Sequence, residues 1–568
     1  MRWRTGIRRC VPEPVRTEPV EVPAPTRYRE SSRRDSPTPR LRSPHPNEEP
    51  PMVANELMNL GATDLAALIA RGELSAREVT DAKIAVIEQR NPQLNALVAQ
   101  RYDAARGEAQ QVDARRMRGE ALPPLAGVPT TIKEVLDVQG LPSTGGLASR
   151  AGHRAASDSE PVACLKRAGA VVLGKTNVAQ ALIYVETDNP LHGRCNHPSD
   201  PLRTPGGSSG GEAALLAVGG SALGLGTDLG GSVRVPAAFC GVASLKPTAG
   251  RLPDMGRLSV PVGALAIPSQ LGPMGRRVAD VEALLRVLNP ASFALPASTS
   301  VDMTKLRVGV YEHDGVFAPS PGVRRAVRDA AAALRSAGAT VVSWKIPDPG
   351  EAQALFFGLL GADGGAGLKR LLRGSRKDVR VAQLLFMGGR SAPTRSALIA
   401  LARIFGQGHL AAVLQSLRGG NVDDYWRLCE RQIDYRTRFA KMMDASDAGA
   451  LDLLLGPPVA TPAFTHGATK DMGLPGIYTT LYNVLGYPAG VVPVSRVQAG
   501  EESDRPALSD MAEKAAARVE AGSAGLPLAV QVAARPWCEH QALAAMAAIE
   551  VATPRSGPTD GLAGPSGS

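Results

Sequence analysis

Two serines lie 24 positions apart in the glycine-rich run TPGGSSGGEAALLAVGGSALGLGTDLGGSVRVP, residues 204–236. Ser208 sits within GGSSGG and Ser232 within GTDLGGS. Glycines at this density let the backbone turn through conformations closed to other residues. Both hydroxyls are therefore expected on tight bends rather than inside regular elements. A third group, Lys133, lies 75 positions before Ser208, at the end of GVPTTIK. Two hydroxyls and one amine suffice for a proton relay without histidine. The fold must then bring two bends and one strand end to a single point, and a hydrolase is the first expectation.

A serine hydroxyl is a weak nucleophile near neutral pH and needs a base beside it. The chain has eight histidines, at positions 45, 153, 192, 197, 313, 409, 466 and 540, and none stands in a context that marks it as that base. A lysine serves when burial and hydrogen bonds from hydroxyls favour its neutral form. Taken alone, a lysine after a strand is ordinarily just solvated; the double-serine run is what raises Lys133 above that. The amides of Leu229, Gly230, Gly231 and Ser232 are expected to converge as an oxyanion hole. The plain alternative for such a loop is a turn or a phosphate cradle, but no GxGxxG is followed by an acid at dinucleotide spacing.

Two other patterns compete. GAVVLGKT, residues 169–176, satisfies GxxxxGK[ST]. Its middle residues AVVL read as the strand itself, whereas a phosphate loop follows a strand and opens a helix. Gly206-Gly207-Ser208-Ser209-Gly210 satisfies the GxSxG nucleophile elbow, which would make Ser208 the attacking group with a later acid and histidine. That reading leaves GTDLGGS and Lys133 without a role.

The rest of the chain reads as α/β. Apolar runs at 170–173, 306–310, 339–342, 451–455, 490–492 and 528–532 have the Val, Ile and Leu content of strands covered on both faces. Helical stretches separate them. Thr63 or Asp64 is expected to cap a first helix that Gly72 ends, and Ser75 with Glu78 forms a capping box opening a second. Val79, Ala82, Val86 and Ile87 mark the apolar face of that second helix. The expectation is one large α/β domain with a mixed or parallel sheet and helices on both faces.

Ten prolines and eleven arginines fall in the first fifty residues. Regular elements reject that proline density, so residues 1–51 are expected to be disordered, and the Gly/Ser/Pro-rich residues 556–568 to be a flexible tail. Residues 500–524 are expected as a surface helix or loop. The formal charge is +10, and residues 1–50 hold 11 − 7 = +4 of it. Aromatic residues make up 4% of the chain, too few for stacking platforms, so no nucleic-acid partner is expected. Cys10, Cys164, Cys195, Cys240, Cys429 and Cys538 show no CxxC spacing. They read as free thiols in a reducing compartment, and no metal or cofactor is expected. No stretch of about 18 apolar residues is present, and the N-terminus has no secretory core. A cytoplasmic location follows as the expectation.

GGSSGG, then GTDLGGSVRVPAAFCG, then LKPT, with Lys133 ahead of them, resemble the amidase signature family. The resemblance extends from about residue 54 to 550. NPLHGRCNHP, YTTLYNVLGYPAGVVPV and GLPLAVQVAA carry a closer similarity to its fatty acid amide hydrolase branch. What the resemblance implies is an amidase domain over 52–555 built on a twisted mixed sheet, and a Ser–cis-Ser–Lys triad. In that triad Ser232 attacks, Ser208 relays across a cis Gly207–Ser208 bond and Lys133 is the base. It also implies Ser209 as a hydrogen-bond partner of Lys133, with Thr227, Asp228 and Arg234 bracing the loop; Asp228 reads equally as an ordinary turn carboxylate. Leu182, Ile183 and Val185 are implied on the acyl side of the substrate, near the nucleophile Ser232, against the simpler reading of core packing, and Ser208 is implied to bind substrate with them. The implied substrate is a small-molecule amide with an apolar acyl group.

Residues 366–408 carry nine Lys/Arg and one acid, Asp378, hence 9 − 1 = +8. Leu384, Leu385, Phe386, Leu398, Ile399, Leu401, Ile404 and Phe405 lie among them. By the resemblance this is a helical cap that meets an anionic membrane; a charged surface helix or a homodimer contact suits the residues nearly as well. Two other functions stay open. One is the amide-hydrolysing component of a tRNA-dependent amidotransferase. The other is a non-catalytic protein that uses its basic N-terminus on membrane or nucleic acid.

Overall fold

The computed structural model of this chain describes residues 54–253, 258, 265–417, 419–472, 476–506 and 510–553. The expectations for 1–51 and 556–568 lie outside them. Among the described residues, eleven strands form one sheet. They are β1 (Leu97–Gln100), β2 (Pro129–Lys133), β3 (Val171–Thr176), β4 (Leu223–Asp228), β5 (Ala243–Lys246), β6 (Gln270–Gly275), β7 (Arg307–Val310), β8 (Thr340–Ser343), β9 (Leu453–Gly456), β10 (Ala489–Arg496) and β11 (Pro527–Ala534). Their spatial order is β1-β3-β2-β4-β6-β5-β10-β11-β9-β7-β8. β2 runs parallel to β3 and β4, and β7 runs parallel to β8 and β9; the remaining pairings are antiparallel. This is a single large α/β domain with a mixed sheet.

All six apolar runs become strands, in β3, β7, β8, β9, β10 and β11. The physical reason shows in their burial. β2, β3, β4 and β11 are buried at every position. A strand covered on both faces keeps no polar alternation, so its signature is an unbroken apolar run. The outermost strand β8 is only half-buried and exposes Thr340 and Ser343.

The helix Ala76–Leu94 opens on the expected capping box. The Ser75 hydroxyl accepts from Glu78 N–H at 3.0 Å, and the Glu78 carboxylate accepts from Ser75 N–H at 3.1 Å. The preceding helix departs from expectation. It spans Ala62–Arg71 with Gly61 as its N-cap, and Asp64 acts from the third helical position by accepting the Gly61 N–H at 3.2 Å. Gly72 ends it at φ 81°. Residues 511–520 are not a purely surface element: the helix Met511–Glu520 buries Ala512, Ala515, Ala516 and Val519. Residues 366–416 form four helices, Ala366–Leu371, Val379–Gly388, Ala392–Ile404 and Gly408–Ser416. Phe386, Leu401 and Ile404 are exposed on them, and Phe405 is exposed directly after the third. Among the described residues no helix is long and apolar enough to cross a membrane.

Candidate active site

β2 and β4 are parallel neighbours, with Ile132 beside Leu225 in register. Their C-terminal ends therefore reach the same edge of the sheet. Lys133 is the last residue of β2, and Thr227 and Asp228 are the last two of β4. In open α/β sheets such edges are where ligands bind. Lys133 is fully buried, and its Nζ donates to Ser208 Oγ at 2.8 Å, to the Thr227 hydroxyl at 2.9 Å and to the Thr227 carbonyl at 3.2 Å.

Ser208 precedes the buried helix Gly210–Ala217, and the Gly207–Ser208 bond is cis. A side chain has no room at Gly207: a Cβ there would lie 2.7 Å from the Glu186 backbone nitrogen. Ser232 ends the loop between β4 and the buried helix Arg234–Cys240. The two serine loops are joined through the backbone, because Ser209 N–H donates to the Ser232 carbonyl at 3.1 Å. The Ser209 hydroxyl donates to the Thr227 carbonyl at 3.4 Å, the same oxygen that Lys133 reaches. Among the described residues no hydrogen bond joins the Ser208 and Ser232 hydroxyls. Hydrogen bonds of this kind are often long until a substrate tightens them.

The loop after β4 is held by one ion pair. Asp228 and Arg234 are both fully buried and meet at 2.9 and 3.0 Å. Asp228 is thus not an ordinary turn carboxylate. Burial pushes its carboxyl up, but the Arg234 charge and hydrogen bonds, with Asn483, outweigh burial and hold it well below the usual range. Its Oδ1 also accepts the Gly231 N–H at 2.8 Å. Of the four amides expected to converge, Gly231 is thereby turned toward Asp228. The amides of Leu229, Gly230 and Ser232 have no partner among the described residues. Gly231 takes φ 124°, and a Cβ on it would collide with the Thr479 hydroxyl. That hydroxyl donates to the Gly230 carbonyl at 2.8 Å and fixes the peptide plane.

Ser232 opens onto a cavity of about 190 Å³. Leu182, Ile183 and Val185 line it, as do Leu229 and Gly230. The helix Pro349–Leu360 adds Phe356 and Phe357, and the helix Val379–Gly388 adds Leu384 and Leu385. The wall is apolar; the one charged lining residue among those described, Asp363, is exposed and accepts from the N–H groups of Gly365 and Gly367. Among the described residues no histidine bonds either serine. His197, for example, is buried against the Phe239 carbonyl at 2.9 Å. The 169–176 pattern is a strand through its lysine, and Lys175 is spent on Ser143 at 2.7 Å.

Residues 78–543 match the amidase family model. The chain belongs to the amidase family. Fatty-acid amide hydrolase 1 of Sus scrofa is 34% identical over 518 residues, covering 89% of this chain and 87% of that protein. A glutamyl-tRNA(Gln) amidotransferase component from Roseiflexus castenholzii is 33% identical over 464 residues, covering 77% and 89%. Among solved structures, a fatty acid amide hydrolase matches with a TM-score of 0.76 at 24% identity, covering 88% of this chain and 86% of that one. The protein is thus an amide hydrolase with the amidase fold.

Several residues of this amidase site escape a reading by motif. Thr479, Asn483 and Gln531 brace the loop from far along the chain. Phe356 and Phe357 come from a helix with no chemical signature beyond its apolar pair. Glu212 also escapes it. It is fully buried in GGSSGGE and accepts from the Thr131 hydroxyl at 2.6 Å and the Thr176 hydroxyl at 2.8 Å, on β2 and its neighbour β3. An acid in an otherwise apolar helix is the signal that points to it.

Burial pushes the Glu212 carboxyl up to about 8, against those hydroxyls and the Lys133 charge. The unfolded chain gives up this proton near 4.5. Between these values folding takes up a proton, so the group's stabilisation is complete below about pH 4.5 and drains away as pH rises through 8. Glu212→Gln has no proton to lose. Relative to the wild type, its stability is expected to climb by on the order of 1 kcal/mol per pH unit across that window. Urea midpoints at three pH values test this, and parallel pH curves for the two proteins would contradict it.

Proposed function

We propose that the chain is a serine amidase that cleaves the carbon–nitrogen bond of small-molecule N-acyl amides with apolar acyl groups, using Lys133, Ser208 and Ser232. One observation carries the reading. Lys133 Nζ lies 2.8 Å from Ser208 Oγ at the sheet edge, with Ser232 on the wall of an apolar cavity. The Thr227 hydroxyl and carbonyl take two amine hydrogens of Lys133. In its neutral form the remaining lone pair then faces Ser208.

Ser232 Oγ attacks the acyl carbonyl, Ser208 takes its proton and passes its own to Lys133. The carbonyl oxygen becomes an oxyanion within reach of the unpartnered amides of Leu229, Gly230 and Ser232. Lys133 then returns the proton through Ser208 to the leaving nitrogen as the C–N bond breaks, because an amine anion leaves poorly. Water repeats the cycle on the acyl-enzyme and releases the carboxylic acid. Leu182, Ile183 and Val185 receive the acyl chain. Thr227, Asp228 and Arg234 hold the loop, and Ser209 supports it through Thr227.

The relatives include both fatty amide hydrolases and glutamyl-tRNA(Gln) amidotransferase components. The apolar lining favours the first, since a glutamine side chain would find little to pair with there. The exposed Phe386, Leu401, Ile404 and Phe405 among basic residues favour contact with an anionic bilayer over the solvated alternative.

A panel of short, aryl and long-chain fatty amides with glutamine as a further member, run with and without anionic vesicles, tests the reading. Long-chain or aryl amides are expected to be turned over by the lone chain. A fluorophosphonate probe is expected to label the wild type and to miss Ser232→Ala. Labelling that survives in Ser232→Ala and vanishes in Ser208→Ala would move the nucleophile to Ser208. Turnover of glutamine alone would favour the amidotransferase reading.

A further inference from the structure

The charge of residues 366–408 is not all surface charge. Arg380, the second residue of the helix Val379–Gly388, is 5% exposed and faces inward. Its guanidinium donates to Glu186 at 2.8 Å, to Asp188 at 2.9 Å and to both oxygens of Asp378 at 2.8 and 2.7 Å. Such a planar fork fixes direction as well as distance. Glu186 in turn accepts the N–H groups of Gly467 at 2.7 Å and Thr469 at 2.9 Å, and the Thr469 hydroxyl. A second tether lies beside the first. Gln180 donates to the Arg376 carbonyl at 2.7 Å and accepts the Asp378 N–H at 2.8 Å.

These two side chains clamp residues 376–380 onto the loop 180–188. That loop supplies Leu182, Ile183 and Val185 to the cavity, and the clamped helix supplies Leu384, Leu385 and Met387 to the same lining. The loop is not held by its own backbone preferences. Ala181, Leu182 and Tyr184 sit at φ 51°, 59° and 74°, a region that side-chain-bearing residues keep only when their surroundings enforce it. The helix exposes Val379 and Phe386 on its outer side and buries Val381 in one apolar cluster with Ala181 of the loop; the non-directional packing is joined there by the directional clamp of Arg380. Among the described residues Arg380 makes no hydrogen bond to either serine, and it is not itself a lining residue of the cavity.

We propose that Arg380 is a positioning residue for substrate choice. By pinning the helix Val379–Gly388 to the loop 180–188, it fixes the separation of the two cavity walls and so sets the length of apolar acyl chain that the site accepts. Short acyl groups end near Ser232, whereas long ones reach Leu384 and Leu385. The inference rests on the amidase reading above.

The test compares kcat and KM for acetyl and dodecanoyl anilides in the wild type, Arg380→Met, Arg380→Lys and Gln180→Ala. Arg380→Met is expected to raise KM for the dodecanoyl anilide at least about tenfold more than for the acetyl one, a loss of binding rather than of chemistry. Arg380→Lys is expected to recover part of the difference. Gln180→Ala leaves no buried charge unpaired, so it stays informative if Arg380→Met does not fold; about a threefold differential is expected of it. Equal changes on both anilides in the folded variants would overturn the proposal. Amide hydrogen exchange of residues 379–388, expected to quicken in Arg380→Lys and Gln180→Ala, gives a readout that needs no turnover, and unchanged protection would likewise overturn it. If the wild type cleaves neither anilide while exchange quickens, the fault lies in the amidase reading and not in the clamp.

Discussion

Lys133→Ala is expected to lower kcat for a fatty anilide by roughly 10³-fold, within the range that general acid–base assistance contributes. Lys133 is fully buried and its amine is committed to Ser208 and Thr227. On the proposed relay, its removal leaves Ser208 nowhere to send the proton it receives from Ser232, and nothing to return a proton to the leaving nitrogen. The loss is expected to be larger for an amide than for the matching ester, because an alkoxide leaves more readily than an amine anion. Lys133→Met fills more of the vacated space and is expected to be equally inactive, which separates lost chemistry from a lost fold. Steady-state rates with a circular-dichroism melt check both. A variant of either kind within tenfold of the wild-type amide rate would remove the lysine from the relay.

The second large effect belongs to Arg234. Its guanidinium donates twice to Asp228, once to the Thr479 carbonyl at 2.8 Å, once to Gln531 at 2.7 Å and once to Asn483 at 2.6 Å. All five donors are used, and the side chain is wholly out of water. Arg234→Met leaves the Asp228 carboxylate buried beside polar donors but without its cation. Breaking one half of a buried pair costs about 3–5 kcal/mol. In a chain of this size that lowers Tm by roughly 3–5 °C. Arg234→Lys keeps the charge but brings three donors from one nitrogen in place of a planar five, so an intermediate loss is expected. Activity is expected to fall along with stability, because Asp228 also holds the Gly231 amide. Equal melting temperatures for Arg234→Met and the wild type would show that the pair does not hold the loop.

Much of this site is legible in the residue order, for a physical reason. Lys133 closes a strand, and the two serines occupy glycine-rich bends; both are local properties that spacing reports. The strands are readable because coverage on both faces leaves continuous apolar runs. What spacing does not report is which distant groups arrive. Thr479 and Gln531 stand 245 and 297 positions from Arg234, and no periodicity connects them. Charge counting fails at Arg380 for a related reason: it sums residues without knowing which way they face, so an inward guanidinium is counted with the outer surface. At the first helix, Thr63 and Asp64 both suit a cap by type, but Gly61 takes the N-cap position and leaves Asp64 to serve from inside the first turn. At Gly231, an amide that looks free in a glycine run is claimed by a side chain three residues earlier.

The five contacts of Arg234 also carry a consequence for synthesis. The nucleophile loop is translated well before the segments that anchor it, since Thr479, Asn483 and Gln531 follow at two to three hundred residues' distance. A nascent chain that has emerged only through Cys240 has Lys133, Ser208 and Ser232, the three members of the proposed relay, and none of those anchors. On the proposed reading, the loop is therefore not held in its working shape until residues 479–531 have emerged and folded onto it.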